Sequence, residues 1–250
     1  MNAELHPIIR LATWNIRKCV GLDRKRDPHR VAHTIAGLEA DVMVLQEADK
    51  RLGSRPAALT RDIVENETGL RPVDVGGHEA SIGFHGNAVL LAPELEMTDC
   101  LSVHLPGIEP RGALILDLEG KASVRVVAVH LGLMRSSRRA QLAAIRARLS
   151  GLPDRPTAVL GDFNEWSQRR GLEPLTGFEV HAPGLSFHAA RPVAALDRIA
   201  INQKIELRDA KVVENAQTRV ASDHLPVLGD VIVQTTTSIS SCLPTPNTRL

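Results

Sequence analysis

The sequence predicts an α/β or α+β fold in which mixed β-sheets pack together with helices outside them. Short apolar runs of β type recur along the chain, and several are continuous rather than alternating. Continuous runs are typical of strands that are covered on both faces. Amphipathic helical patterns separate only some of these runs, so strands outnumber helices. That balance favours central sheets with helices as outer layers.

Eight apolar runs predict the strands in chain order. No internal repeat and no mid-chain linker interrupts the series, so we expect one domain over residues 1–234. The runs span Ile8–Trp14, Asp41–Glu47, Asn87–Ala92, Gly112–Leu118, Val124–Leu131, Thr157–Asp162, Leu196–Ile201 and Leu225–Val233.

Three helices are predicted between these strands. Apolar residues at helical spacing predict the first over Asp27–Leu38, where Asp27 is a suitable N-cap and Pro28 a suitable first helical residue. The second lies within Pro56–Thr68. The third, over Ser136–Leu149, has one apolar stripe, and we expect its arginines on the opposite, solvated face. Residues 235–250 are rich in Thr, Ser and Pro, which predicts a disordered tail.

Composition limits the possible classes of function. The 250 residues are 43% hydrophobic, which excludes a disordered chain and predicts a substantial core. The 30 basic and 29 acidic residues give a net charge of +1. This balance argues against a strong global field for nucleic acid or an anionic membrane, although it is compatible with a local basic patch. Aromatic residues make up 2%, so a broad base-stacking platform is not expected.

Cysteine usage and hydropathy predict the compartment. The three cysteines are widely spaced and form no CxxC motif, which is typical of unpaired thiols in a reducing compartment. The N-terminus lacks a signal-peptide pattern, and no apolar run approaches the roughly 20 residues that span a bilayer. We therefore expect a cytoplasmic protein without a transmembrane segment, and the sequence implies no protein partner.

Polar residues that a buried strand disfavours stand at the ends of six apolar runs. Strands that end in this way bring polar side chains to one rim of a rigid scaffold. Each residue alone has a simpler interpretation, such as an ion pair between Asp197 and Arg198. The candidates at the strand ends are Asn15, Glu47, His130, Asp162, Asn164, Asp197, Asp223 and His224.

The residue types at these ends favour phosphoester hydrolysis. Carboxylate and amide oxygens without thiolates favour a hard cation, Mg²⁺ or Mn²⁺. The Asp223–His224 pair offers an acid or base beside a carboxylate that can orient it, and Asp162 could activate a water. Asn164 could donate a hydrogen bond to an oxygen that gains charge. Together these groups suit attack of water on phosphorus.

Several stretches in a fixed order resemble the endonuclease/exonuclease/phosphatase superfamily, which has the fold of deoxyribonuclease I. The set LQE, GDFN and SDH in this order is highly specific. The residues of these stretches most resemble those of compact bacterial metal-dependent hydrolases. The resemblance implies a four-layered αββα sandwich, with two mixed β-sheets packed face to face and helices outside. The stretches, from Thr13 to Val227, are TWNIRKCVGLD, ADVMVLQEAD, HGNAVLL, PRGALILDL, VAVHLGL, VLGDFNEW, LDRIAI and ASDHLPV.

The resemblance also implies roles in binding. It implies a Mg²⁺ or Mn²⁺ ion held mainly by Glu47, with Asn15 and Asp223 nearby. Asn87 and Arg111 match positions that support the substrate.

Five residues match catalytic positions. The resemblance implies that His224 contacts the scissile phosphate or protonates the leaving group, and that Asp197 orients it. Asp162 would activate the attacking water, Asn164 would brace the phosphate and His130 would contact it.

The stretch VLGDFNEW carries further expectations. Gly161 is expected to let the chain turn tightly after its strand, and Phe163 to point into the core. Trp166 is expected either to wall the cleft or to cover the loop.

Three functions follow in order of preference. The first is hydrolysis of a phosphodiester by direct attack of water. The second is a nuclease that grips DNA or RNA through the basic residues Arg17, Lys18, Arg24, Lys25 and Arg26. The third is a non-catalytic module that recognises a phosphorylated partner. A phospholipid head group, a nucleotide and a nucleic acid all stay open as substrates.

Overall fold

The computed structural model describes residues 7–50, 56–75, 81–168 and 170–234, and these contain two six-stranded β-sheets. The predicted tail, 235–250, lies outside the described residues. In chain order the strands are β1 (Ile8–Asn15), β2 (Val42–Gln46), β3 (Arg71–Pro72), β4 (Ala88–Leu91), β5 (Leu95–Leu105), β6 (Arg111–Gly120), β7 (Val124–His130), β8 (Thr157–Asp162), β9 (Phe178–His181), β10 (Asp197–Asn202), β11 (Ile205–Val212) and β12 (Val227–Val233).

The helices of the described residues lie between these strands. One turn of 3₁₀-helix follows β1 at Arg17–Cys19. The α-helices are α1 (Pro28–Ala36), α2 (Arg61–Thr68), α3 (Arg135–Ser150) and α4 (Thr218–Ala221). None of them is long and apolar enough to cross a membrane.

Both sheets are mixed. The first has the strand order β11-β12-β1-β2-β4-β3, and the second has the order β5-β6-β7-β8-β10-β9. The β1–β2 and β7–β8 pairs are parallel, whereas the other neighbours are antiparallel. The eight predicted strands are confirmed, and they form the four inner strands of each sheet.

The four strands that the sequence did not predict, β3, β5, β9 and β11, are the outer strands of the two sheets. Strand β5 shows the reason, because only Leu95 and Leu105 at its two ends are buried. An edge strand with much of its surface in water does not need a continuous apolar run.

Side chains of β2 show how the first sheet is covered. Val42 and Val44 belong to the core between the two sheets, whereas Met43 and Leu45 belong to a second core that includes residues of α1. This alternation is the period of two that a pleated strand imposes. Because both faces are apolar, the strand appears in the sequence as a continuous run.

The second sheet is covered in the same way. Val126 of β7 lies in the core between the sheets, and its neighbour Val127 lies in a third core with Leu142 and Ile145 of α3. Helices therefore cover the outer face of each sheet, and the four-layered αββα sandwich is confirmed.

The helix boundaries agree in part with the predictions. The Asp27 side chain accepts a hydrogen bond from the Arg30 N–H at 3.0 Å and caps α1, with Pro28 as its first residue. Helix α2 begins at Arg61 and is followed by Gly69 in a left-handed conformation. The basic segment Gly21–Arg30 thus serves partly as a helix cap.

One arginine of α3 corrects the expectation that all its arginines face solvent. Arg138 is buried, and its guanidinium donates to Glu165 at 2.7 Å. Arg135 donates to the same carboxylate at 2.9 and 3.1 Å, and the Ser167 N–H donates at 2.9 Å. Burial opposes ionisation of Glu165, but these hydrogen bonds outweigh it and lower its pKa from 4.5 to about 2. We call these residues the Glu165 clamp, which fixes the loop after β8 to α3.

The expected turn at Gly161 is wrong. Gly161 lies inside β8 and pairs with Val129 of β7, with a φ of +151°. A Cβ atom there would lie 1.9 Å from the Val129 carbonyl oxygen, so glycine is required by close strand approach rather than by a turn. Phe163 is fully buried in the core under α3, as predicted.

Replacement of Gly161 by Ala should lower the free energy of unfolding by on the order of 3 kcal/mol or more, because the methyl group must displace backbone. Gly37→Ala is the matched control, since Gly37 has a φ of −70° and its nearest atom would be 3.6 Å away. We expect that control to stay within about 0.5 kcal/mol of wild type. Urea unfolding measures both variants, and equal midpoints would contradict the steric argument.

Loss of the Glu165 charge should make stability less sensitive to acid. Because the folded-state pKa is depressed, the clamp stabilises the protein above about pH 4.5 and loses this contribution as pH falls towards about 2. A shift of this size corresponds to on the order of 3 kcal/mol. Urea unfolding of Glu165→Gln should therefore differ most from wild type at pH 7 and least near pH 3. Glu179→Gln, at a largely exposed side chain, is the control and should show a small difference at both pH values.

Candidate active site

The candidate residues meet at one end of the two sheets, and strand register explains why. In the second sheet, His130 of β7 pairs with Asp162 of β8, which in turn pairs with Asp197 of β10. These three residues therefore lie side by side across neighbouring strands. In the first sheet Asn15 pairs with Gln46, which places Glu47 beside the end of β1.

The centre of the site is His224, held between two carboxylates. Its Nδ1 lies 2.8 Å from Asp197 Oδ2, and its Nε2 lies 3.8 Å from Asp162 Oδ2. All three residues are buried. The Trp14 indole N–H donates to the His224 carbonyl at 2.8 Å, and the Phe187 ring lies 4.9 Å from the imidazole. Trp14 therefore holds the His224 backbone, the Phe187 ring packs against the imidazole, and Asp197 holds its Nδ1.

Asp162 connects the two sheets. Its Oδ2 accepts a hydrogen bond from the Asn15 side chain at 3.1 Å, and its Oδ1 accepts one from the Asn164 N–H at 2.9 Å. The His130 Nε2 lies 3.5 Å from Oδ2. One carboxylate thus touches groups from β1, β7 and the loop after β8.

Burial and charge set the protonation of this group. Burial disfavours the charged imidazolium, but the carboxylates of Asp197 and Asp162 outweigh it and raise the pKa of His224. Burial raises the pKa of Asp162, and the positive charge of His224 opposes this rise. His224 is thus suited to carry a proton at neutral pH, and Asp162 is easier to protonate than an exposed aspartate.

Glu47 lies after β2 in a left-handed conformation with a φ of +54°. Its carboxylate pairs with the ammonium group of Lys18. The Asp223 carboxylate, in the segment before β12, lies 3.5 Å from the Arg17 guanidinium. A non-glycine residue with positive φ costs free energy, so the surrounding structure must hold Glu47 in place.

Among the described residues, one cluster of acids and histidine lies close enough together to hold a divalent cation. Asp162, Asp197 and His224 offer ligand atoms within 4.8 Å of one another, but His224 Nδ1 is already engaged by Asp197. The residues that the sequence predicts as metal ligands, Glu47 with Asn15 and Asp223, are a different set, and the Asn15 Oδ1 already accepts a hydrogen bond from the Arg17 N–H at 3.1 Å. Its donors are carboxylate and amide oxygens, and Glu47 already neutralises one cation, Lys18. Oxygen donors of this kind are those that a hard divalent cation prefers, and the metal role of this set stays a prediction.

A cleft of about 150 Å³ opens beside Glu47 and His130. Arg111 lines it, and its guanidinium donates to Glu109 at 2.7 Å. The cleft also contains Asp49 and His85, which were not predicted from the sequence. Arg111 and His130 thus line the same cleft, and the role of Arg111 in binding substrate stays a prediction.

The two remaining candidates have structural contacts. The Asn87 side chain is buried and donates to the Gly112 carbonyl at 2.9 Å, while its Oδ1 has no partner among the described residues. The Asn164 amide donates to the Leu131 carbonyl at 2.9 Å, and its φ is +50°. Their roles in binding phosphate stay predictions.

Sequence reasoning missed the supports of this site. Glu165 directly follows the GDFN stretch. It could have been found in the sequence as a second acid after β8, together with two arginines one helical turn apart in α3 that are able to pair with it. The Lys18–Glu47 pair and the carboxylate of Glu109 had no comparable signal. Their partners are distant in sequence or lie in loops without a motif.

Comparison with known proteins agrees with this fold. A model of the Endonuclease/Exonuclease/phosphatase family matches residues 12–224. The uncharacterized protein YbhP of Escherichia coli K12 is 34% identical over 163 residues. That match covers 60% of this chain and 63% of YbhP, so the chain spans less than two thirds of the relative's length.

Solved structures show the same architecture. A family member from Bacteroides thetaiotaomicron has a TM-score of 0.74 at 14% identity, over 92% of this chain and 99% of that one. A mannosyl-6-phosphatase of the same organism has 0.71 at 14%, over 90% and 99%. Danio rerio (D. rerio) TDP2 complexed with single-strand DNA product has 0.69 at 14%, over 90% and 98%.

The match to the family model extends from β1 to His224, so it includes strands of both sheets and the buried centre between them and ends before β12. The chain belongs to the Endonuclease/Exonuclease/phosphatase family.

Proposed function

We propose that this protein is a metal-dependent phosphoesterase that hydrolyses a phosphodiester by direct attack of water. The observation that carries the proposal is the buried His224 between Asp197 and Asp162, with Asn15 and His130 in contact with Asp162. Family membership supports a phosphoester as the substrate, since the family is named for nucleases and phosphatases.

His224 is the group that stabilises negative charge on the phosphate. The raised pKa keeps its imidazole protonated at neutral pH, so Nε2 can donate to a phosphoryl oxygen or to the leaving oxygen. Asp197 holds Nδ1 at 2.8 Å and fixes which ring nitrogen faces the substrate. Asp197 is therefore a positioning residue, since it acts through His224.

Asp162 is the group that receives a proton. Its Oδ2 lies 3.1 Å from Asn15 Nδ2, 3.5 Å from His130 Nε2 and 3.8 Å from His224 Nε2, and on this proposal the attacking water binds beside it. Burial raises its pKa and so increases its affinity for the proton of that water. Asn15 and His130 keep the carboxylate in one orientation.

A cation and a cationic side chain would complete the charge balance. Glu47 would hold a Mg²⁺ or Mn²⁺ ion with Asn15 and Asp223, and the ion would offset the charge that develops on the phosphate oxygens. Arg111, in the cleft beside His130, would contact the substrate on the other side. The roles proposed for His224 and Asp162 are the same with the cation and Arg111 in place.

The nuclease alternative depends on free basic residues. In Gly21–Arg30, however, the Arg30 guanidinium pairs with Asp23 at 2.8 Å and Arg26 donates to the Ala58 carbonyl at 2.8 Å. Two of the loop's cations thus hold the loop, whereas Arg24 and Lys25 are exposed, and this division counts against a strong grip on a long nucleic acid. The non-catalytic alternative is disfavoured because the site retains every acid and both histidines.

Replacement of His224 by Asn should lower kcat for bis-p-nitrophenyl phosphate by on the order of 10²–10³, because a group that stabilises the transition state is lost. Asp197→Asn should lower kcat with little change in KM, since it disturbs only the orientation of His224. His29→Asn is the matched control, because His29 is an exposed histidine that contacts Glu67. If His224→Asn retains wild-type turnover, or if the monoester is the better substrate, the proposal is wrong.

Removal of divalent cations with EDTA should abolish hydrolysis, and Mg²⁺ or Mn²⁺ should restore it. Calorimetric titration of Mn²⁺ into the metal-free protein tests the site without relying on activity. Glu47→Gln should weaken Mn²⁺ binding by at least about tenfold, since even indirect partners of a metal contribute that much. Glu67→Gln is the control. Equal Mn²⁺ affinity in both variants would remove Glu47 from the metal site.

A further inference from the structure

Large apolar side chains are exposed mainly around the candidate active site. Among the described residues eight such side chains are exposed, and six of these lie in loops at the catalytic end of the second sheet. We call these six the apolar rim. They are Ile108, Leu133, Met134, Trp166, Leu185 and Val193.

The rim is built from four loops. Ile108 lies between β5 and β6, Leu133 and Met134 lie between β7 and α3, and Trp166 follows β8. The remaining two residues lie between β9 and β10. The strands that enter or leave these loops present His130, Asp162 and Asp197, so the rim surrounds the residues proposed to act on the phosphoester.

Contacts between the loops hold the loops of the rim next to one another. The Leu133 N–H donates to Glu109, which neighbours Ile108, at 3.1 Å. The Glu165 clamp joins the residue after Met134 to the residue before Trp166. The Trp166 ring meets the Phe187 ring edge to face at 6.3 Å, and Phe187 in turn packs on His224.

Single exposed apolar residues are ordinary on protein surfaces, but a cluster around a site indicates a ligand or interface. On the proposed function, a ligand that covers this rim lies next to the phosphoester on which His224 acts, because the same loops adjoin the strand ends that carry His130, Asp162 and Asp197. A phospholipid combines a phosphoester with an apolar body. Nucleic acid offers no aliphatic surface to match Leu133, Met134 and Val193, and a tryptophan among aliphatic residues is typical of proteins that enter a bilayer interface.

Charge on the same loops favours an anionic surface. Arg170 and Arg191 are exposed, the first after Trp166 and the second before Val193. Neither pairs with a carboxylate among the described residues. Basic residues near a membrane surface are attracted to anionic lipids, and this local attraction does not require a large net charge.

We propose that the apolar rim docks on an anionic phospholipid surface and that the phosphoester hydrolysed by this protein belongs to a lipid in that surface. The substrate part of this proposal rests on the proposed function. The docking part stands on the placement of the six rim residues and the two arginines.

Tryptophan fluorescence of the wild-type chain tests docking directly. The chain has two tryptophans, and Trp14 is fully buried while 62% of Trp166 is exposed. Vesicles of phosphatidylcholine with phosphatidylglycerol should therefore shift the emission to shorter wavelength through Trp166, and phosphatidylcholine alone should give a smaller shift. Trp166→Phe should abolish the shift. No shift and no co-sedimentation with either vesicle would overturn the proposal.

A pair of variants locates the surface. Replacement of Ile108 and Leu133 by Ser should lower the vesicle partition constant by about tenfold or more, since two exposed apolar side chains no longer leave water. Ile8→Ser is the matched control, because Ile8 is half exposed and lies at the opposite end of β1. Circular dichroism confirms that each variant is folded. Equal losses in the two variants would overturn the assignment to the rim.

Two activity measurements separate this proposal from the proposed function. Hydrolysis of soluble bis-p-nitrophenyl phosphate by wild-type protein tests the proposed function alone. Release of a soluble product from the phosphatidylglycerol vesicles tests the lipid substrate. Vesicle binding without hydrolysis of either diester would overturn the proposed function and the lipid substrate but support docking. Concentration-dependent self-association without vesicle binding would identify the rim as a protein interface and overturn docking.

Discussion

The structure depends on two buried carboxylates that share one imidazole. Asp197 and Asp162 lie on neighbouring strands and are both removed from water, so their charges would repel each other without a positive group nearby. His224 supplies that charge from a separate segment before β12. Such a group is favourable only when its hydrogen bonds and geometry are nearly complete, because desolvated charges are expensive. The remaining architecture can be understood as what keeps these three side chains in place.

The two sheets hold the group from opposite sides. The second sheet aligns His130, Asp162 and Asp197 by register, and that register requires Gly161, because a side chain there would meet the backbone of β7. The first sheet brings Asn15 to Asp162 and positions Glu47 in a strained left-handed conformation. Strain of this kind persists where neighbouring structure determines the backbone. The Glu165 clamp adds a third constraint, since it ties the loop after Asp162 to α3.

The sequence was sufficient for the inner strands and insufficient for the edges. Inner strands are apolar on both faces and produce continuous runs, whereas β5 and β11 expose much of their surface and have no such pattern. The site was predictable where polar residues interrupt those runs, as at Asp162 and His224. Arg138 and Glu165 were not, because each is stabilised in the interior by partners distant in sequence, and a pattern of single residues does not show such contacts.

The net charge and the composition of the whole chain also gave no information on how apolar and charged side chains are distributed over its surface. A net charge of +1 and an aromatic content of 2% argue against a strong global attraction to membranes, yet neither value describes any one face. The fold collects apolar side chains at the tips of the loops whose bases carry the catalytic candidates. Polar candidate residues thus lie at the base of the site and apolar side chains at its rim. A substrate with a polar end and an apolar end matches this arrangement. On the proposed function, the site would act on the phosphate while the rim holds the apolar part, so the same four loops would set both the reaction and the place where it occurs.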